Sequence, residues 1–233
     1  MKIIKVSNAR KLETLRNNIY FEGLEESILQ KISTEMRLCQ FERKETIFLE
    51  GEESTGLHIM ESGSAKIYRL SPQGRQYIVK ILTEGDTYNE VSVFDSGRHP
   101  VNTATLEESK IWIIKVDVLR QLASSDPVYA QKIIKILSGN LRTLVHRISG
   151  MAFYQVTHRL ARLLNRLPEE SLSGERRARL TQNQLAALLG SVREVVARSL
   201  KELERGGAIR VRNRCIYIED REALEKISQG MWE

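Results

Sequence analysis

The spacing of apolar residues changes character along the chain, and each change predicts a different architecture. From about Met36 to Val116 they fall in short β-rich runs: Thr46 to Leu49, Leu57 to Met60, Ala65 to Leu70, Tyr77 to Leu82 and Lys110 to Val116. Gly51, Gly56, Gly63, Gly74, Gly85 and Gly97 punctuate them. Turn signals roughly 8–12 residues apart read as an antiparallel sandwich or barrel, and so many glycines suggest a rolled sheet. Ser71-Pro72-Gln73-Gly74 fits a hairpin tip, with proline second and glycine fourth in a type I turn.

At Ser125-Asp126-Pro127 the period becomes helical, with Asp126 as the cap and Pro127 in the first turn, where its missing N–H costs nothing. Ile133, Leu137, Leu141, Leu144, Ile148 and Met151 then recur at gaps of three or four. So long and narrow a seam predicts pairing with a second helix, which makes these six residues the candidate dimer interface. Another helix is expected near Gln155 to Leu167. A polar loop should follow over Pro168-Glu169-Glu170-Ser171-Leu172-Ser173-Gly174.

The stretch LTQNQLAALLGSVREVVARSLKEL, Leu180 to Leu203, is two short helical patterns broken by a glycine. Thr181 is a candidate N-cap, with Gln184 completing a capping box, and Gln182 opens the first turn. Leu185, Leu188 and Leu189 would face a core, and Gly190 stands where the chain must turn. Ser191 is expected to cap the second helix, with Glu194 three positions on. There Val195, Val196, Leu200 and Leu203 alternate with Arg193, Glu194, Arg198 and Lys201. One face is apolar and the other carries hydrogen-bonding groups. This is the pattern of a helix-turn-helix whose second helix can enter a DNA major groove. After Gly206-Gly207, two β-favouring runs flank Arg212-Asn213-Arg214, a hairpin placed to act as a wing with Arg212 and Arg214 over phosphates.

Charge sharpens this picture. Residues 176–214 hold ten Lys/Arg, including Arg176, Arg177 and Arg179, against three acids, while the other 194 residues sum to −1 of the +6 total. A local basic excess is what a phosphate-binding footprint requires. The 233 residues allow two ordinary domains, and 41% hydrophobic with 28% charged residues exclude a disordered chain. No apolar run reaches the ~20 residues of a membrane span, and MKIIKVSNARKLETL is too charged for a signal peptide. Cys39 and Cys215 form neither a disulfide framework nor a Cys-rich metal site, so a reducing cytoplasm is expected.

A glycine-punctuated roll, a long dimer-type helix and a winged helix-turn-helix, in that order, resemble the cyclic AMP receptor protein/fumarate-nitrate regulator superfamily. The resemblance runs from about Tyr20 to Leu224. It is carried by Gly51-Glu52, by Ile59-Met60-Glu61-Ser62-Gly63-Ser64-Ala65-Lys66, and by Gly85-Asp86 with Glu90 and Phe94. Its most specific part is Ser191-Val192-Arg193-Glu194-Val195-Val196-Ala197-Arg198. It implies an α+β fold: an N-terminal antiparallel β-roll of the cyclic-nucleotide-binding jelly-roll kind (1–124), a dimerisation helix (125–152) and a C-terminal winged helix-turn-helix (153–233). It also implies a homodimer reading an inverted repeat of TGTGA-like half-sites in double-stranded DNA, with RNA polymerase as a partner of any activator and no membrane partner.

The departures fall in the effector pocket, which by resemblance comprises Asn89, Glu90, Ser92, Arg98, His99 and Pro100. Nucleotide-responsive members carry Gly-Glu and then Arg-Ser. Here Asn89 precedes the retained Glu90, and His99-Pro100 replace Arg-Ser. Without that guanidinium a cyclic phosphate loses its bidentate partner, so cyclic AMP is not the expected ligand unless Arg98 takes over. A lone Cys39 argues against an iron–sulfur cluster. Of the histidines, His99, with His146, is where a haem ligand could sit, which keeps nitric oxide or carbon monoxide sensing open beside an effector-free regulator. A cupin-like metalloenzyme would need two histidines and a carboxylate converging in the roll. Only His58 and His99 lie there, without a His-x-His pair, so no enzyme is expected.

Overall fold

The computed structural model describes residues 1–174 and 180–229. In order the elements are β1 (Lys2–Ile4), α1 (Asn8–Arg16), α2 (Glu26–Thr34), β2 (Met36–Phe41), β3 (Thr46–Phe48), β4 (Leu57–Ser62), β5 (Ala65–Leu70), β6 (Gln76–Leu82), β7 (Thr87–Tyr88), α3 (Glu90–Phe94), β8 (Asn102–Thr105), β9 (Ser109–Ile114), α4 (Val116–Ser125) and α5 (Pro127–Phe153). There follow α6 (Val156–Arg166), α7 (Glu169–Leu172), α8 (Gln182–Leu189), α9 (Arg193–Arg205), β10 (Ile209–Arg212), β11 (Cys215–Ile218) and α10 (Arg221–Ser228). Two compact units result, one of Met1–Arg69 with Val79–Leu141 and one of Leu70–Ile78 with Arg142–Glu233.

The β-rich region forms two sheets rather than a closed barrel, with strand orders β1-β2-β9-β4-β7 and β3-β8-β5-β6. Cys39, Phe41, Phe48, Met60, Leu82, Tyr88, Ile111 and Ile113 form one buried cluster. A second cluster joins Leu12, Leu15 and Phe21 to Ile32, Trp112, Leu119 and Tyr129. The expected tip at Ser71 to Gly74 is present, with the Gly74 N–H donating to the Ser71 carbonyl at 2.8 Å. Gly56 sits where β4 and β9 nearly touch. Its φ is +139°, and a Cβ there would lie 1.9 Å from the Ile114 carbonyl oxygen. Helices α1, α2 and α4, and strand β1, were not anticipated, although Ile28, Leu29 and Ile32 of α2 and Val116, Leu119 and Ala123 of α4 recur at helical spacing and pack on one core. The segment 168–174 is not a plain loop: α7 forms there because Leu172 is buried in the core of the second unit.

Asp126 caps α5 as the sequence indicated, its Oδ1 accepting from the Val128 and Tyr129 N–H groups at 2.9 and 3.1 Å. The apolar stripe, however, divides. Ile133 is only 4% exposed and belongs to the core of its own unit, against which Leu137 also packs. Ile134 is 63% exposed, and Leu141, Leu144, Val145 and Ile148 are exposed with it. Ile133 is thus a residue of its own unit's core, and the exposed apolar stripe runs instead through Ile134, Leu141, Leu144 and Ile148. The Met151 side chain is outside those described. Among the described residues no helix is long and apolar enough to cross a membrane.

Candidate nucleic-acid interface

The helix-turn-helix is built by local signals. Thr181 Oγ1 accepts the Gln184 N–H at 3.2 Å, while Gln184 Oε1 accepts the Thr181 N–H at 2.8 Å, closing the expected capping box. At the far end of α8, Gly190 adopts φ +61° and the Ser191 N–H donates to the Ala186 carbonyl at 2.9 Å. Ser191 is therefore part of the turn that finishes α8, not the cap of the next helix. The residue preceding α9 is Val192, which has no side-chain acceptor to offer. From α6, the Arg159 guanidinium donates to the Leu189 carbonyl at 2.7 Å and pins this corner.

Helix α9 buries Val196, Ser199, Leu200 and Leu203 against that scaffold. Thr157 Oγ1 of α6 lies 2.9 Å from Ser199 Oγ and 2.6 Å from Glu202 Oε2. A carboxylate only accepts, so Thr157 donates to Glu202 and receives its second bond from Ser199. On the opposite face Arg193, Glu194, Arg198 and Lys201 are exposed, and none of the four is in an ion pair among the described residues. Thr181 and Gln182, with the first turn of α8, are partly or fully exposed as well.

Strands β10 and β11 pair in register from Ile209↔Ile218 to Arg212↔Cys215. That leaves a two-residue turn of Asn213 and Arg214, at φ +50° and +64°. Arg212 is thus a strand residue and not part of the turn. Both Arg212 and Arg214 are exposed, whereas Arg210 is paired with Glu219 at 3.2 Å. Arg176, Arg177 and Arg179 of the expected basic footprint lie outside the described residues.

In the roll, three of the six expected pocket residues converge. Asn89 takes φ +74°, and its Nδ2 donates to the Gly56 carbonyl at 2.7 Å. Its Oδ1 thereby faces Ser92 Oγ at 2.6 Å and His99 Nδ1 at 2.8 Å. Since Oδ1 can only accept, His99 carries its proton on Nδ1 and presents a bare lone pair at Nε2. That nitrogen is buried without a partner among the described residues. The imidazole, 1% exposed, stacks on Phe48 with centroids 3.8 Å apart. Burial lowers the His99 pKa and pushes that of the neighbouring His58 down to about 3, so both rings are neutral.

Glu90 turns elsewhere. Its Oε1 accepts from Asn140 Nδ2 on α5 at 2.8 Å, and burial raises the pKa of its carboxyl. Arg98 is exposed and donates to the Gly51 carbonyl at 2.8 Å, and Pro100 is exposed. No guanidinium of the expected pocket reaches its interior. A porphyrin has no approach to His99 either, because Nε2 is sealed from solvent; the residues do not fit haem there. His146 is exposed on α5. Sequence reasoning missed Phe48 and Asn140. Only the polar Ser138-Gly139-Asn140 break in the α5 stripe hinted at the latter.

Residues 38–126 match the family model for the cyclic nucleotide-binding domain, and residues 158–227 match that for the Crp-like helix-turn-helix domain. The chain belongs to the cyclic AMP receptor protein/fumarate-nitrate regulator superfamily. Within this superfamily it is 29% identical over 211 residues to the "CRP-like cAMP-activated global transcriptional regulator" of Mycobacterium tuberculosis, covering 88% of this chain and 94% of the relative. It is 26% identical to the "Fumarate and nitrate reduction regulatory protein" of Escherichia coli, over 80% and 76% of the two chains. A crystal structure of a Crp/Fnr-family transcriptional regulator from Eubacterium rectale has the same fold, with a TM-score of 0.76, 21% identity and coverage of 90% and 99%. The chain joins a cyclic nucleotide-binding domain to a Crp-like helix-turn-helix domain, as a transcriptional regulator of this superfamily.

Proposed function

We propose that the protein is a homodimeric, sequence-specific transcriptional regulator that reads an inverted repeat of TGTGA-like half-sites. The observation that carries this reading is the outer face of α9. Arg193 and Arg198 are exposed and in no ion pair among the described residues, each offering a fork of donors to guanine O6 and N7, and Glu194 beside them can accept from cytosine N4. Arg212, Arg214 and Lys201 would hold phosphates, and Ser191, Thr181 and Gln182 border the same face. The exposed stripe of α5 would pair two copies, which sets the half-sites about one DNA turn apart. Residues 1–124 would then be the sensor, 125–152 the dimerisation helix and 153–233 the DNA-binding domain, acting in the cytoplasm. RNA polymerase would be the further partner if the protein activates.

The relative from Mycobacterium tuberculosis is described as cAMP-activated. In this chain the place of the phosphate-binding pair is taken by a buried neutral imidazole and an exposed proline, and Arg98 is turned to Gly51. Losing a charge-assisted bidentate contact costs on the order of 2–5 kcal/mol, so cyclic AMP is not the effector.

The test is anisotropy with a TGTGA inverted repeat and a scrambled duplex at fixed salt. Binding at least about a thousandfold tighter to the repeat is expected, unchanged by cyclic AMP. Equal affinity for the two duplexes would defeat the DNA-reading assignment, and tightening by cyclic AMP would defeat that of the sensor.

A further inference from the structure

Of the side-chain polar atoms in the expected effector pocket that reach the interior or the long helix, His99 Nε2 is left without a partner among the described residues, and Asn89, Ser92, Glu90 and His99 Nδ1 are bonded to this same chain. Asn89 and Ser92 hold His99, and Glu90 holds Asn140. Resting on the reading of the roll as the regulator's sensor, we propose that the roll is its own ligand. The His99 imidazole and the Asn140 amide are tethered occupants of the site, and DNA binding needs no diffusible effector.

His99 is built in rather than leaning in. Its backbone N–H donates to the Glu52 carbonyl and its carbonyl accepts from the Gly51 N–H, both at 2.9 Å. Its ring meets Phe48 on one face and fastens Nδ1 to Asn89 and Ser92 at its edge. The acceptor, Asn89 Oδ1, is aimed by the bond from Asn89 Nδ2 to the Gly56 carbonyl. The imidazole therefore has what a bound heterocycle has: an aromatic stacking surface, an oriented polar partner and exclusion of water.

A tethered group also holds an advantage over a free one. It is present at an effective concentration a dissolved metabolite rarely reaches, and its orientation is already fixed. A diffusing competitor must first lift the ring off Phe48, so its apparent affinity falls by the fraction of molecules in which the site is open. Asn140, exposed on α5 and adjacent to Leu141 of the exposed stripe, donates to Glu90 Oε1 at 2.8 Å. Occupancy of the site and placement of the long helix are thereby joined without a ligand.

Chemical rescue on the full chain, without DNA, tests this. His99→Ala should lower Tm by about 5 °C or more, and about 50 mM imidazole should regain at least half of the loss while leaving the unsubstituted protein unmoved. 1-Methylimidazole, which has no N–H to give Asn89, should regain clearly less. No regain, or equal regain with both compounds, overturns the proposal, as does a Tm rise of the unsubstituted protein with cyclic AMP or cyclic GMP.

If His99→Ala does not fold, Asn140→Asp reads the second contact. It sets a carboxylate against Glu90, so the loss of Tm should be larger at pH 7 than at pH 5. A pH-independent loss overturns that half. Rescue without operator binding would leave self-occupancy standing and remove the DNA reading; operator binding without rescue would do the reverse.

Discussion

His58 and Tyr88 face each other on paired strands with ring centroids 5.0 Å apart, and neither reaches solvent. Burial is the largest cause of the His58 pKa falling to about 3, with His99, once it is itself protonated, and Arg37 adding repulsion. The folded-state value is depressed below the ordinary 6.5 of an unfolded histidine. The unfolded chain therefore takes up the proton first, and stability present above pH 6.5 drains away as pH falls toward 3.

Unfolding free energy should accordingly drop by about 2 kcal/mol between pH 6.5 and 4.5 on account of this residue. Comparing denaturant melts of the protein with those of His58→Phe isolates the effect, since other groups titrate in both. Parallel pH profiles would show that His58 is protonated in the folded protein.

Gly56 and Gly74 both have positive φ but should respond differently to alanine. At Gly56 the added Cβ meets the Ile114 carbonyl at 1.9 Å; at Gly74 nothing lies within 4 Å. Gly56→Ala should cost more than about 4 kcal/mol, or prevent folding, whereas Gly74→Ala should cost about 1 kcal/mol. Similar losses for the two variants would show that β4 can move away from β9.

These contrasts mark what was legible in the sequence. Short β-favouring runs between glycine turns located most strands, because residue preference and turn punctuation are both local signals. The capping box at Thr181 and the turn at Gly190 were legible because each depends on neighbours within five positions. Ser191 was misread because a hydroxyl before a helical run looks the same whether it caps that run or closes the one before. Ile133 and Ile134 are equal in hydrophobicity, and only the packing of α5 on α4 and the Phe21 region tells them apart. His99 was located, but its burial against Phe48 depends on a contact 51 positions away in sequence, beyond any local pattern.

The two isoleucines give the next expectation. Ile134→Asp and Leu144→Asp should leave the fold intact by circular dichroism but yield monomers in analytical ultracentrifugation, since each would set like charges face to face across the seam. Ile133→Asp should instead destabilise its unit, by about 3 kcal/mol or more. A dimeric Leu144→Asp protein would assign the stripe to some other contact.

At the recognition helix, Arg193→Ala should weaken specific binding by about 1–3 kcal/mol and relax preference at one guanine, with little change on random DNA. An equal loss on both, with a shallower salt dependence, would make Arg193 a phosphate contact.

The wing tip shows a trade within a single residue. Arg214 stands at φ +64°, a conformation that costs an ordinary side chain about 1 kcal/mol and glycine almost nothing. A chain refined for thermal endurance alone would carry glycine there. Replacing Arg214 by glycine should thus give a sturdier protein that grips DNA less well, and its melting temperature and its occupancy of operator should move in opposite directions.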